Sequence, residues 1–183
     1  MKRILIGTLV GTVIFFAYQS IMWTGGFHSD FSTYTQNQEP VLNALSNHLD
    51  AEGLYIIPSA DPLSPGYKDE QMQMHTENVG KPWAMIFYHP AMKNVSSTYI
   101  LTGIFYTFIA CLLACMVIYH GSFTTFGSRF FVAMAFALFT LSQGVLDEMN
   151  WWSFPWSFIK PQVIDLTVGW AFCSVWIAIY VKK

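Results

Sequence analysis

Long runs of apolar residues dominate the pattern of hydrophobic and polar positions along the chain. A bilayer core is about 30 Å thick and a helix rises about 1.5 Å per residue, so apolar runs of about 18 residues predict membrane-spanning helices. Runs of about this length occur at four places: Ile4–Trp23, Tyr99–Tyr119, Phe130–Leu146 and Val163–Val181. We therefore predict an all-α membrane protein with four transmembrane helices.

Shorter patterns fill residues 24–98, between the first and second runs. Apolar residues at three-to-four spacing, from Val41 to Leu49, predict a short amphipathic helix. Two β-branched and aromatic segments, Leu54–Ile57 and Trp83–Tyr88, each stop next to a proline or a His-Pro pair and predict strands. The polar stretch 67–77 is compatible with a second short helix. We expect helix 1 in residues 1–23, a small α+β cap in 24–98 and helices 2 to 4 in 99–183.

Composition and charge agree with this architecture and orient it. Hydrophobic residues make up 54% of the chain and charged residues 11%, against about a quarter charged in a typical soluble domain. Five basic residues flank one set of predicted helix ends: Lys2, Arg3, Arg129, Lys182 and Lys183. The positive-inside rule then predicts that both termini are cytoplasmic and that the cap is extracytoplasmic. The expected charges are about +5 inside and about −7 outside.

This asymmetry limits the partners that the sequence allows. No basic face is available to neutralise phosphates along a nucleic acid, so nucleic acid is excluded as a partner. The lipid bilayer is the first expected partner, and the basic side is compatible with anionic lipid. Lys2 and Arg3 precede the first apolar run, and no small-x-small cleavage motif follows it. We therefore interpret the first helix as an uncleaved signal anchor.

Several short motifs in a fixed order carry a resemblance to a known group of proteins. They are Tyr18–Trp23, Tyr34–Gln38, Glu52–Pro58, Gly80–Ala84, Tyr88–Pro90 and Asp165–Trp170. In this order the chain resembles an uncharacterised family of small four-helix integral membrane proteins of Bacteroidetes-like bacteria, which has no assigned activity. The resemblance implies a multi-pass location in the bacterial inner membrane, with the cap on the periplasmic side. It implies no catalytic residue.

The stretch DEMNWWSFPW, residues 147–156, raises the question of a reactive site. Tryptophans such as Trp151 and Trp152 are typical of a membrane–water interface, because the ring is apolar while its N–H needs a polar partner. This explanation accounts for most of the stretch. Several chemically capable side chains are nevertheless predicted at the same depth: Gln19, His28, His89, Asp147, Asn150 and Asp165.

Two interpretations of these side chains remain open. Asp147, Asp165 and His89, with Gln19 nearby, could act as acid and base on a lipid-borne substrate, and His28 and His89 are weak candidates for metal ligands. Alternatively, Asp165 lies about one turn into a helix that starts after Pro161, where the helix dipole favours a carboxylate. No cofactor is indicated, since the sequence has no haem, zinc or phosphate-loop motif.

Association with other chains is better signalled than catalysis. Gly7 and Gly11 form a GxxxG motif that lets helices approach closely, either within the chain or between chains. The cap is too small to bury a large core alone, and Trp83, Trp151 and Trp152 are aromatic candidates for contact surfaces. The sequence therefore favours a non-enzymatic accessory or scaffold subunit of an inner-membrane assembly, which contacts another membrane protein or a second copy. The alternative is the membrane-interface enzyme or metal site.

Overall fold

The computed structural model describes residues 1–94 and 96–183 and is mostly helical. In these residues, four helices are long and apolar enough to cross a membrane: Lys2–Thr24, Ser97–His120, Phe126–Trp152 and Trp156–Tyr180. We call them spans 1 to 4. The prediction of four spanning helices is confirmed in length and composition. Spans 3 and 4 extend several residues beyond their apolar runs, since backbone hydrogen bonding continues into polar and aromatic residues.

Spans 3 and 4 each contain a π-helical segment, which divides them into shorter α-helices. The α-helices in chain order are α1 (Lys2–Thr24), α2 (Gln38–His48), α3 (Tyr67–Asn78), α4 (Ser97–His120), α5 (Phe126–Thr140), α6 (Asp147–Trp152), α7 (Trp156–Ile164) and α8 (Trp170–Tyr180). The π segments are Leu141–Leu146 and Asp165–Gly169, and the two strands are β1 (Gly53–Ile57) and β2 (Ala84–Tyr88). A short 3₁₀ helix, Ser29–Phe31, follows α1.

The chain divides into two compact units, and the larger one contains all four spans. This helical unit consists of Met1–Tyr34 and Val95–Lys183, and the smaller unit is Thr35–Asn94. In the helical unit α1 packs against α4 and α8, and α5 packs against α8. The core contains all three cysteines, which are fully buried, with 3.6 Å between Cys111 Sγ and Cys173 Sγ. Small side chains thus fill the centre, where the helices are close together.

Gly7 and Gly11 lie on the buried face of α1. A Cβ atom at Gly11 would lie 3.1 Å from Cys173 Sγ and 3.4 Å from Cys111 Sγ, and one at Gly7 would overlap Val181. Both glycines therefore serve contacts between helices of the same chain.

The turn between spans 3 and 4 falls in the stretch 147–156. Ser153 ends α6 with φ 54° and ψ 36°, the left-handed conformation that reverses chain direction after a helix. Pro155 then precedes α7 in an extended conformation. Trp151, Trp152 and Trp156 are exposed around this turn, as expected for side chains at a membrane boundary.

Span 4 begins at Trp156, seven residues before the predicted start at Val163. The expectation that it starts after Pro161 is wrong, because this proline lies inside α7. A proline in a helix removes one backbone hydrogen bond, but here its ring is almost fully buried and packing offsets part of that loss. Asp165 is therefore nine residues from the helix start, beyond the first turn where the dipole favours a carboxylate.

The smaller unit contains α2, α3 and a two-stranded antiparallel sheet. Leu54 pairs with Phe87 and Ile56 with Met85, so these four side chains share one face of the sheet. The opposite face carries Tyr55 and Tyr88, whose rings meet edge to face with centroids 6.5 Å apart. The predicted strands are confirmed to within one residue at their starts.

Candidate functional site

A tight turn after α1 reverses the chain and positions a histidine. Gly26 has φ +78°, a conformation that glycine adopts without steric cost. The Phe27 N–H donates to Met22 O at 3.1 Å and the Gly26 N–H to Trp23 O at 3.4 Å, which together form a Schellman motif. The fold-back segment, Gly25–Phe31, thereby returns towards span 4.

His28 on this segment forms a buried polar cluster with span 4 and α1. His28 Nε2 lies 3.1 Å from Asp165 Oδ1, and Gln19 Nε2 donates to Asp165 Oδ2 at 3.3 Å. The His28 side chain is fully buried and the Asp165 side chain is 8% exposed. We call these three residues the Asp165 cluster. It joins α1 and the fold-back segment to span 4, because Gln19 and His28 lie 146 and 137 positions before Asp165 in the sequence.

The backbone around Asp165 is also unusual. Asp165 opens the π segment Asp165–Gly169, and π turns inside α-helices are frequent at functional sites. At its other end, Gly169 is buried so closely against the Tyr18 ring that a Cβ atom would overlap it. Next to this segment, Phe15 of α1 and Trp170 of α8 pack edge to face with ring centroids 5.4 Å apart.

One buried polar atom of the Asp165 cluster has no hydrogen-bond partner among the described residues. His28 Nδ1 is buried and has no hydrogen bond to any residue that the structure describes. The Trp23 ring meets the imidazole edge to face at 5.1 Å. With Nε2 protonated, His28 donates to Asp165 and keeps a lone pair at Nδ1. The pair can hold or transfer a proton at this position, which is the chemistry expected of an acid–base site.

An ion pair on the same segment adds a second contact with span 4. Lys160 Nζ donates to Asp30 Oδ2. The hydrogen bond from Lys160 lowers the pKa of the Asp30 carboxyl below its ordinary value. Residues 25–34, which the sequence pattern assigns to the cap, thus lie in the helical unit because two side chains tie them to span 4.

The other predicted site residues have different surroundings. Asp147 and Asn150 are exposed on α6. The Asp147 N–H donates to Gly144 O, but its side chain takes part in none of the ion pairs of the described residues. His89 belongs to the smaller unit, where its Nδ1 lies 3.1 Å from Glu52 Oε1. His89 and Lys93 both bond to Glu52 and lower the pKa of its carboxyl. Of the predicted residues, the structure brings together Gln19, His28 and Asp165.

No family model, no curated protein and no solved structure matches this chain. Among residues 1–94 and 96–183, no three His, Cys, Asp or Glu side chains are grouped as a metal site requires.

Sequence reasoning missed Asp30 and Lys160 as partners. Their opposite charges next to predicted helix ends are a usable signal, but the signal does not specify that they meet. Tyr18 beside Gly169 was missed as well, because an aromatic residue inside an apolar run gives no sign of its neighbour.

Proposed function

We propose that this protein is a non-enzymatic accessory or scaffold subunit of a membrane assembly, and that its cap contacts another membrane protein or a second copy. The observation that carries the proposal is the apolar sheet face of the cap, formed by Leu54, Ile56, Met85 and Phe87. Leu54 is 49% exposed and Phe87 is 64% exposed. An apolar face of this kind on a two-stranded sheet needs a cover, since two strands alone are marginally stable.

In the structure the cap corresponds to the smaller unit, residues 35–94. This unit has very few buried side chains, and that supports the same proposal. In residues 35–94, Ala60 and Tyr88 are the buried hydrophobic side chains, and neither α2 nor α3 has a buried residue. Trp83 is 54% exposed next to the sheet. Aromatic and aliphatic side chains exposed together are typical anchors of protein interfaces.

The location that we propose is a bacterial inner membrane, with both termini cytoplasmic and the cap periplasmic. The distribution of basic residues around the helix ends supports the orientation. The family resemblance supports the bacterial membrane. Only 17–39% of the most apolar window of each span is buried inside the chain. The bilayer then covers much of the remaining span surface.

Site-specific photo-crosslinking in native membranes tests the interface. A photoreactive amino acid at Phe87 should give one discrete protein adduct, identified by mass spectrometry as a partner or as a second copy. The matched control position is Met72, which is 72% exposed on α3 and off the sheet. Adducts of equal yield at both positions, or lipid adducts alone at Phe87, would contradict the proposal. When the photoreactive amino acid is placed at another position of the sheet, Phe87→Ser should reduce the yield of the protein adduct.

The second candidate function is an acid–base site of a membrane-interface enzyme, centred on Asp165 and His28. Its support is the buried His28 Nδ1, which has no partner among the described residues next to a buried carboxylate. The two acceptor oxygens of Asp165 are used by His28 and Gln19. An enzyme of this kind needs its proton-transferring carboxylate to be reachable from the lipid phase.

An apolar carbodiimide, which reacts with protonated carboxyl groups in apolar surroundings, tests that requirement. Under the enzymatic proposal the reagent labels Asp165, and His28→Gln alters the labelling rate. Asp165→Asn removes the labelled position and Asp147→Asn leaves it intact. Absence of label on Asp165 in the folded protein would exclude a lipid-accessible acid–base site there.

A further inference from the structure

The end of the helical unit that lies opposite the Asp165 cluster contains a buried cation. Arg129, near the start of α5, is 9% exposed. Its Nε donates to Ala178 O at 2.7 Å, and its Nη1 donates to Thr124 O at 2.8 Å and Phe123 O at 3.2 Å. Three main-chain carbonyls therefore fix the guanidinium plane. The second terminal nitrogen, Nη2, has no hydrogen-bond partner among the described residues.

In the described part of the chain, no carboxylate forms an ion pair with Arg129. The ion pairs in the described part of the chain involve His28, His89, Lys93 and Lys160, and none involves Arg129. Carbonyl dipoles solvate a guanidinium but leave its full charge in place, and a buried charge without a counter-charge is costly. The surroundings of Arg129 are thus suited to an anion.

A cavity of about 520 Å³ lies against Arg129. This volume falls in the range of about 300–1,000 Å³ that is typical of small-molecule sites. Its lining residues include Ser122 and Thr124, the basic residues Lys182 and Lys183, and the apolar Phe123. Lys183 Nζ also donates to His120 O at 3.3 Å. Arg3 Nη1 donates to the main-chain oxygen of Lys182 at 2.6 Å, which holds this segment next to α1. The lining is therefore basic, hydroxyl-bearing and partly apolar.

We propose that this cavity binds a phosphate-bearing anion, the group shared by an anionic phospholipid headgroup and free phosphate. Arg129 Nη2 and the ammonium groups of Lys182 and Lys183 are the donors, and planar guanidinium groups suit phosphate oxygens. The cavity lies where span 2 ends, span 3 begins and span 4 ends, and lipid headgroups lie at the ends of spanning helices.

Binding to the full-length protein in detergent tests this site. The probes are phosphatidylglycerol, phosphatidylcholine and inorganic phosphate, and native mass spectrometry with titration measures their affinities. The variant is Lys182→Gln with Lys183→Gln, which keeps the buried Arg129 and its helix contacts. The control is Lys2→Gln, which removes one charge at the same end of the bundle but does not line the cavity.

We expect phosphatidylglycerol to bind more tightly than phosphatidylcholine, and the double variant to weaken it about 10- to 100-fold, as for one or two lost charged hydrogen bonds. Lys2→Gln should change the affinity less than about threefold.

Binding of inorganic phosphate with the same variant dependence, without lipid selectivity, would assign the site to a soluble anion. Equal losses in the double variant and in Lys2→Gln would show diffuse surface attraction and overturn the proposal. Absence of binding by both phosphatidylglycerol and phosphate would also overturn it. An Arg129→Gln variant that folds, as judged by its thermal transition, and binds like the wild type would exclude the role of the guanidinium.

Discussion

Asp165 and Asp147 are both acidic residues near the turn between spans 3 and 4, yet their surroundings differ. The Asp165 side chain is 8% exposed and its two oxygens are used by His28 and Gln19. Asp147 is exposed on α6. The sequence places both in one candidate group because it shows type and order but not burial. The structure assigns them different environments, and the difference is measurable.

We predict that Asp165→Asn lowers the free energy of unfolding by about 1–3 kcal/mol, because an NH2 group replaces one of the two oxygens that contact His28 and Gln19. Asp147→Asn should change it by less than about 0.5 kcal/mol, as for an exposed residue. Denaturant titration of the purified protein in detergent measures both. Equal effects of the two substitutions would mean that the Asp165 cluster contributes no net stability.

At the scale of elements, helix approach depends on small residues. Gly7 and Gly11 lie where α1 meets α4 and α8, and the cysteines of those helices lie opposite them. The GxxxG motif is visible in the sequence. The sequence does not show whether the motif mediates contacts within the chain or contacts with a partner. That distinction depends on which helix faces which, and this is decided by packing over the whole bundle.

We predict that Gly7→Ala destabilises the bundle by about 1–3 kcal/mol, the cost of overpacking a close contact. Gly103→Ala, on α4, is the matched control, because a Cβ there meets no atom within 4 Å. It should be neutral or stabilising by up to about 1 kcal/mol. Thermal unfolding of both variants in the same detergent compares them, and a Gly7→Ala protein as stable as Gly103→Ala would refute the close packing.

The fold-back segment gives an element-scale pH dependence. The pKa of Asp30 is lowered from its ordinary value of 3.8, chiefly by the hydrogen bond from Lys160. A depressed carboxyl pKa means that this contact favours the folded state fully above about pH 4 and is lost as pH falls through the lower folded value. The attachment of Ser29–Phe31 to α7 should therefore weaken below about pH 4.

An NMR titration of the Asp30 carboxyl carbon tests this. The midpoint should lie below 3.8 in the wild type and move up towards that value in Lys160→Gln. Lys68→Gln, which removes a charge in the smaller unit, should leave the midpoint unchanged. A wild-type midpoint at or above the ordinary value would show that the ion pair does not form in solution.

Much of the element layout could be predicted from the sequence, and the errors have specific causes. Apolar runs revealed the four spans, and β-branched segments with proline stops revealed the two strands. The start of span 4 was misplaced because proline usually marks a helix boundary, whereas Pro161 is packed inside α7. The partnership of His28 and Asp165 was not predictable, since it depends on the direction in which the turn at Gly26 sends the chain. The Gly25-Gly26 pair predicts a turn, but it does not predict which helix the chain then contacts.

At the scale of the whole molecule, stability is unevenly distributed. The helical unit has a buried core of apolar residues, whereas the smaller unit buries Ala60 and Tyr88 and exposes one sheet face. A unit of this size gains little from its own core. The smaller unit therefore gains little of its stability from its own core.

We predict that residues 35–94, produced alone, show no cooperative thermal transition by circular dichroism and poorly dispersed amide signals by NMR. The physical reason is that exposed apolar area gives no stabilisation to offset the conformational entropy of about 60 residues. The same residues in the full chain, in native membranes, serve as the control and should resist limited proteolysis. A sharp transition in the isolated cap would contradict both this prediction and the main argument for an accessory role.

The Asp165 cluster also has a consequence for the timing of biosynthesis. His28 leaves the ribosome 137 residues before Asp165. At a synthesis rate of about 5–20 residues per second, roughly 7 to 27 seconds pass between the synthesis of His28 and that of Asp165. During that interval the first helix is already made while the segment after it has nothing to dock against. The fold-back of Gly25–Phe31 is thus a late event, completed when the fourth helix arrives, and a nascent chain arrested before residue 165 should leave His28 open to chemical modification.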